Sequence, residues 1–309
     1  MFRLIHLLRN RNFILSLALV LGLLFGQGAQ WTENTVIPAL AFVMMLATTS
    51  VTGSLFRSPR TLLAPLLVGI LMNYGLLGGL ILVLNGLVML EESFRIGFVV
   101  LAAVPPAVAV IPFTSFFGGD LEFSLIGTLG CYLGAFVITP LVLFSILESS
   151  FGLQVRLFIT LIELVIIPLT LSRILLRTGV ASRIAHIKGT LINWSFFLVI
   201  YTVIGLNQEI FLSSPLSLIP AATITLATTF VLGYGIERIG RLLRIDPKRV
   251  ASIVLLGTLK NTGFSAGLAL VLFDRRTAIP SAIMNVFMLS YVILLDLKKT
   301  HNQKIQNKQ

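Results

Sequence analysis

Long apolar runs alternate along the chain with short polar joints, many of them carrying arginine. The runs are too long and continuous to be strands or one-sided helices of a water-soluble core. A helix of about 20 mainly apolar residues crosses a bilayer. By that measure the pattern predicts ten transmembrane helices, at 12–29, 36–55, 61–86, 96–117, 121–147, 154–176, 187–206, 216–236, 249–272 and 279–297. The joints leave no room for a soluble module, and the polar tail 298–309 reads as irregular. The chain is expected to be one all-α membrane domain spanning 1–309.

Composition agrees with the pattern. Over 309 residues the chain is 56% hydrophobic and only 11% charged, with a mean hydropathy of +0.99; a soluble domain carries roughly a quarter charged residues. The net charge of +11 would suggest nucleic acid in a soluble protein, but here the cations lie between the spans. With ten spans, one side receives Arg3, Arg9, Arg11, Arg57, Arg60, the cluster Arg173 to Lys188, the cluster Arg238 to Arg249, and the lysines after Leu297. The other side receives Arg95, Arg156, Arg275 and Arg276, and Lys260 falls inside a span. This bias puts both termini in the cytoplasm. The short loops and basic face suit a bacterial or organellar inner membrane. No Ala-x-Ala-like cleavage site follows the first span, so no signal peptide is read there.

Ten divides as five plus five, and an odd number of spans gives the halves opposite orientations. The expected plan is two inverted repeats, about 12–147 and 154–297, the arrangement of many secondary transporters. The fourth span of each half is interrupted. Pro105, Pro106 and Pro112 remove backbone donors from one. The other contains Gly257-Thr258-Leu259-Lys260-Asn261-Thr262-Gly263, a polar, glycine-punctuated stretch. Freed backbone groups at such breaks need side chains, water or ligand. Pro105, Pro106, Pro112 and Gly263 are therefore the predicted helix breaks.

Two ionisable residues lie within spans, Lys260 and Glu163, where a charge is costly and usually faces a cavity or a partner. Glu163 also lies within reach of the membrane surface near Arg156. Lys260, Asn261, Thr262, Asn73, Ser265, Thr128 and Glu163 form the candidate substrate or ion site, although neutral polar groups in membrane helices often serve only as interhelical hydrogen bonds. No catalytic residue, cofactor or metal site is expected. Cys131 is the sole cysteine, and His6, His186 and His301 sit in polar segments. Gly263-Phe264-Ser265-Ala266-Gly267 matches the hydrolase elbow, but it lacks the preceding strand and a histidine in reach. Asn193-Trp194-Ser195, a glycosylation match, lies inside a span. An enzyme is not expected.

From about Leu40 to Asp274 the chain resembles the bile acid:sodium symporter family. The resemblance is carried by Pro105 and the stretch through Ser124 to Thr139-Pro140, by Ile166-Ile167-Pro168, and by Lys260-Asn261-Thr262-Gly263, which stands where the family has Gln-Asn-Ser-Gly. Auxin-efflux-type carriers share the general architecture. The resemblance implies that spans 4 and 9 cross inside a core, that spans 1, 2, 6 and 7 form a panel, and that an organic anion binds between them. It also implies two sodium ions near the crossing, and here the chain departs from the family. The ligand positions fall at Leu256, Val110, Ile111, Cys131, Gly134 and Lys260, and only Asn73 stays comparable. The expected function is a secondary carrier of a small organic anion by alternating access, without sodium coupling of the family type. The lysine ammonium would replace the cation, either as a fixed charge or as a group exchanging its proton. A proton-coupled exporter of the auxin-efflux kind and a non-transporting scaffold or sensor are the alternatives. The expected partners are the anion and the bilayer, with no nucleic acid.

Overall fold

The computed structural model describes residues 8–49, 59–146 and 151–306. Arg3, His6 and Arg57, the end of the second apolar run and the tip of the tail lie outside them. Every predicted span is mainly helical over its described part. The helices are α1 (Arg11–Leu24), α2 (Val36–Thr48), α3 (Pro59–Ile70, Leu71–Gly78 and Gly79–Val88 in succession), α4 (Glu92–Ala103), α5 (Val110–Phe117) and α6 (Leu121–Ile146). They continue as α7 (Phe151–Leu161, Ile162–Ile166 and Ile167–Arg177), α8 (Ala185–Leu206), α9 (Pro215–Leu242), α10 (Pro247–Leu256), α11 (Thr262–Leu272) and α12 (Ile279–Gln306).

Fewer than ten of the described helices are long and apolar enough to cross a membrane unbroken. Among the described residues six are long and apolar enough to cross a membrane alone: α3, α6, α7, α8, α9 and α12. A seventh crossing results if α1 and the run Gly26–Thr48, which meet at 97°, are one bent span. The fourth and ninth predicted spans are each divided, into α4 with α5 and α10 with α11. The tail also differs from expectation. Helix α12 passes Lys298 and continues to Gln306, because Lys298 to Gln306 contains neither glycine nor proline to stop it.

The helices form two groups. Helices α1, α2, α7 and α8 pack on one another, α8 against both α1 and α2, and α7 against α2. The second group comprises α3 to α6 and α9 to α12, in which α6 packs on α3 and α4, α10 on α5, α6 and α9, and α12 on α4, α9 and α11. One apolar cluster joins the groups, with Leu40, Val43 and Val203 from the first meeting Val108, Phe264 and Ala266 from the second. At the arginine-rich end, Arg173 donates to the Thr48 carbonyl and Lys188 Nζ to Thr49 Oγ1 at 3.3 Å. Both place positive charge at the negative end of α2.

In lipid there is no hydrophobic gain from joining two apolar helices, so close contact has to hold them together. The α3–α6 pair shows how. A Cβ on Gly69 would stand 2.7 Å from Gly127 Cα and 2.7 Å from its carbonyl oxygen. Two glycines thus let these backbones touch. Gly69→Val should lower the unfolding temperature of the detergent-solubilised protein, at a cost of about 1–3 kcal/mol for overpacking. Gly86→Ala, on the exposed side of the same helix with nothing within 4 Å of its would-be Cβ, should leave stability unchanged or slightly raised. Equal losses in a thermal melt would contradict this account of the contact.

Candidate functional site at the crossing

The prolines act on α4 first. Val104, in extended conformation, ends the helix, since Pro105 and Pro106 supply no amide hydrogen and bias the preceding residue away from the helical region. Helix α10 likewise stops at Gly257. The two interrupted segments then pair with each other. Pro106 and Lys260 form an isolated antiparallel bridge, flanked by Ala107 N donating to the Leu259 carbonyl and Asn261 N to the Pro105 carbonyl, both at 3.0 Å. Backbone groups that neither helix can satisfy are satisfied across the crossing.

The ends of α4 and α10 leave further carbonyls, and side chains take them one by one. Lys260 is fully buried. Its Nζ donates to the carbonyls of Ala102 and Val104 at 2.8 Å each and to Asn73 Oδ1 at 2.9 Å. Thr139 Oγ1 donates to the intervening Ala103 carbonyl at 2.8 Å. Asn73 Nδ2 donates to the Leu256 carbonyl at 3.1 Å, which fixes its amide so that the oxygen faces the lysine. The Tyr74 ring lies 4.8 Å from the ammonium, within cation–π range. Helix α3 can come this close because Gly78 faces the site: a Cβ there would sit 3.0 Å from the Ala102 oxygen.

A second chain of hydrogen bonds adjoins the first. Asn261 Oδ1 accepts from Phe264 N at 3.1 Å and so caps α11. Its Nδ2 donates to Tyr132 Oη at 2.8 Å, and Tyr132 donates to the Pro106 carbonyl at 3.0 Å. Asn261 therefore ties the start of α11 to α6 and, through Tyr132, to the break after α4.

The predicted residues divide accordingly. Lys260, Asn261, Asn73, Pro105 and Pro106 meet at the crossing. Thr262 lies one residue beyond and donates to Asn285 Oδ1 at 3.1 Å, which leaves Asn285 Nδ2 without a partner. Ser265 accepts from Ser281 at 2.8 Å, an α11–α12 link. Thr128 is buried on α6 with an unpartnered hydroxyl, beside a small void against Thr48 of α2.

Three predictions need correction. Glu163 lies in the exposed part of the π-helical segment Ile162–Ile166 of α7 and takes no part in these contacts. Pro112 is no break: it is the third residue of α5, in the first turn, where no amide hydrogen is required. Gly263 is the second residue of α11, and a Cβ there would come within 2.9 Å of Leu40. Its smallness serves contact between the groups.

Thr139 is a participant that the polar pattern does not single out, whereas Tyr132 is one of the polar groups, with Asn193 and Asn285, that the pattern offers as cavity lining. A tyrosine in an apolar helix needs a partner for its hydroxyl, but nothing in the chain says that the partner is the backbone 26 residues earlier. The voids between the two helix groups beside the crossing have volumes of about 20, 10 and 20 Å³, room for a water at most.

Two interrupted helices whose breaks pair with each other inside an apolar bundle are an arrangement that secondary transporters use. The chain matches the model of the SBF-like CPA transporter family over residues 60–294 and belongs to that family, which is bile acid:sodium symporter-like. No curated protein matches it.

The Asn261–Tyr132 link gives a local test. Tyr132→Phe and Asn261→Ala should each lower stability, by about 1–3 kcal/mol for the buried groups left unpaired. The double variant should lose less than the sum, with a coupling of at least about 0.5 kcal/mol in a thermal or denaturant cycle. Simple additivity would mean that the two side chains act separately.

Proposed function

We propose that this protein is a secondary carrier of a small organic anion that works by alternating access, with Lys260 in the place of a coupling cation. The carrying observation is the coordination of Lys260: three acceptors, each at 2.8 or 2.9 Å, in a fully buried site. Three acceptors require three N–H donors, and only the ammonium has three. This favours the fixed positive charge over a lysine exchanging its proton.

The residues around the ammonium are poor sodium ligands. A hard cation needs several free oxygens, and here the Ala102, Val104 and Asn73 oxygens already accept from Nζ. Leu256, Val110 and Cys131 offer no side-chain oxygen and are fully buried. Among the described residues no group of three His, Cys, Asp or Glu is placed to hold a metal. Helices α5 and α11 both begin at the crossing, and their N-termini carry partial positive charge, which suits an anion.

The moving parts in this reading are the two helix groups. The group of α3 to α6 and α9 to α12 would be the core, and α1, α2, α7 and α8 the panel it moves against. Two inverted five-span repeats would account for the matching breaks. Both termini would lie in the cytoplasm.

The test is uptake of labelled organic anions into proteoliposomes, together with thermal unfolding of the purified protein. Anion uptake should proceed equally in sodium and in choline, and Lys260→Ala should abolish it. The same substitution should destabilise the protein by about 3 kcal/mol or more, because it strands three buried acceptors, and sodium should not restore the loss. Saturable stabilisation by sodium, or uptake that requires it, would overturn the replacement. Uptake driven by a proton gradient through Lys260 would overturn the fixed charge.

A further inference from the structure

A cavity of about 740 Å³ lies away from the crossing, at the arginine-rich end of the second helix group. It opens where α5 and α9 end, where α10 begins, and beside Leu295 to Lys298 of α12. Phe117, Val250, Val254 and Leu255 form its apolar floor, the last three nearly inaccessible to solvent. Glu237, Arg238, Arg241 and Lys298 stand on its rim. Glu237 pairs with Arg241 and lies 3.9 Å from Lys298, while Arg238 has no acidic partner among the described residues. The rim thus has three cations for one carboxylate.

The surroundings have two characters. Around the groove α9 and α12 expose apolar side chains, with Ile239 58%, Leu242 70% and Leu297 63% exposed, a surface fit for hydrocarbon and not for water. At the polar end Arg244, Lys248 and Lys299 add positive charge beside the carboxylates of Asp246 and Asp296. A soluble anion would match the rim and leave the floor uncovered. A zwitterionic lipid would bring a cation of its own among Arg238, Arg241 and Lys298. A basic pocket between membrane helices suits an anionic headgroup, and guanidinium forks suit phosphate oxygens.

We propose that this groove binds an anionic phospholipid of the adjacent leaflet, with its phosphate on Arg238 and Arg241 and an acyl chain on the Val250, Val254 and Leu255 floor. Helix α10 is one wall of the groove and leads directly into the break that holds Lys260. The lipid would therefore brace the half-helix from outside the transport path. The proposal does not depend on the substrate or on the coupling mode.

The experiment is native mass spectrometry and thermal unfolding of the full chain, delipidated in detergent. The probes are phosphatidylglycerol, phosphatidylcholine and inorganic phosphate. Phosphatidylglycerol should bind saturably and raise the unfolding temperature. Phosphatidylcholine should bind at least tenfold more weakly, and phosphate at equal concentration should give no shift. Arg238→Gln combined with Arg241→Gln should weaken phosphatidylglycerol binding at least fivefold while sparing lipid-free stability, since both side chains lie at the surface. If that double variant fails to fold, Ala251→Trp, which fills the groove from its apolar wall, should weaken the same binding. Equal affinity for the two lipids, a phosphate shift as large as the lipid's, or undiminished binding in a folded variant would each overturn the proposal.

Discussion

The structure depends on one buried lysine. Interrupting a membrane helix exposes backbone carbonyls that lipid cannot satisfy, and this chain interrupts two helices at one depth. Lys260 takes two of the carbonyls left at the end of α4, and its third proton goes to Asn73, which in turn reaches the end of α10. A single side chain thus links α10, α4 and α3. Apolar packing alone could bring these helices together, but it would leave their ends unpaired.

The second constraint is closeness. Side chains of one helix that reach backbone carbonyls of another at 2.8 Å, as Lys260 and Thr139 do, require the helices to approach within contact distance, and residues without bulk permit it. Gly78 opens the path of α3 to Ala102, and the Gly69–Gly127 contact holds the neighbouring α6 on the same helix. Helix α6 then contributes Thr139 and Tyr132 to the crossing. The polar network and the glycine contacts therefore act together. Each makes the geometry of the other attainable, and a substitution in either should disturb both.

Much of this was legible in the sequence because membrane chemistry makes exceptions conspicuous. A lysine midway along an apolar run has few explanations, and a pair of prolines in another run marks where a helix must stop. The errors came where one residue type serves two purposes. Pro112 looked like a third break, yet a proline in the first turn starts a helix as readily as it ends one. Gly263 looked like a break, yet its hydrogen replaces a side chain that would strike Leu40. Glu163 has the charge of a site residue, and it lies exposed on α7, outside the contacts of the crossing. Tyr132 stands out as a polar group in an apolar run, but its partner does not: no residue type announces a carbonyl that has lost its own partner.

The difference between a tethered and a diffusible cation bears on mechanism. A bound ion that stabilises the crossing can leave, and its departure can make the movement of a core depend on an ion gradient. An ammonium on a lysine side chain cannot leave. It stabilises the crossing in every state in which its three acceptors stay in place, so it contributes no free-energy difference between outward- and inward-facing forms. In a carrier built this way the rigidity of the crossing is kept, and the bias between the two faces has to come from the substrate itself or from groups that change their surroundings as the panel and core slide. Thr128 and Asn285 stand where such a movement would be felt. Each has a buried polar atom without a partner, and each lies where the two helix groups meet. Their unmet hydrogen bonds are a cost in the form described here, and a ligand or water entering between the groups would remove it.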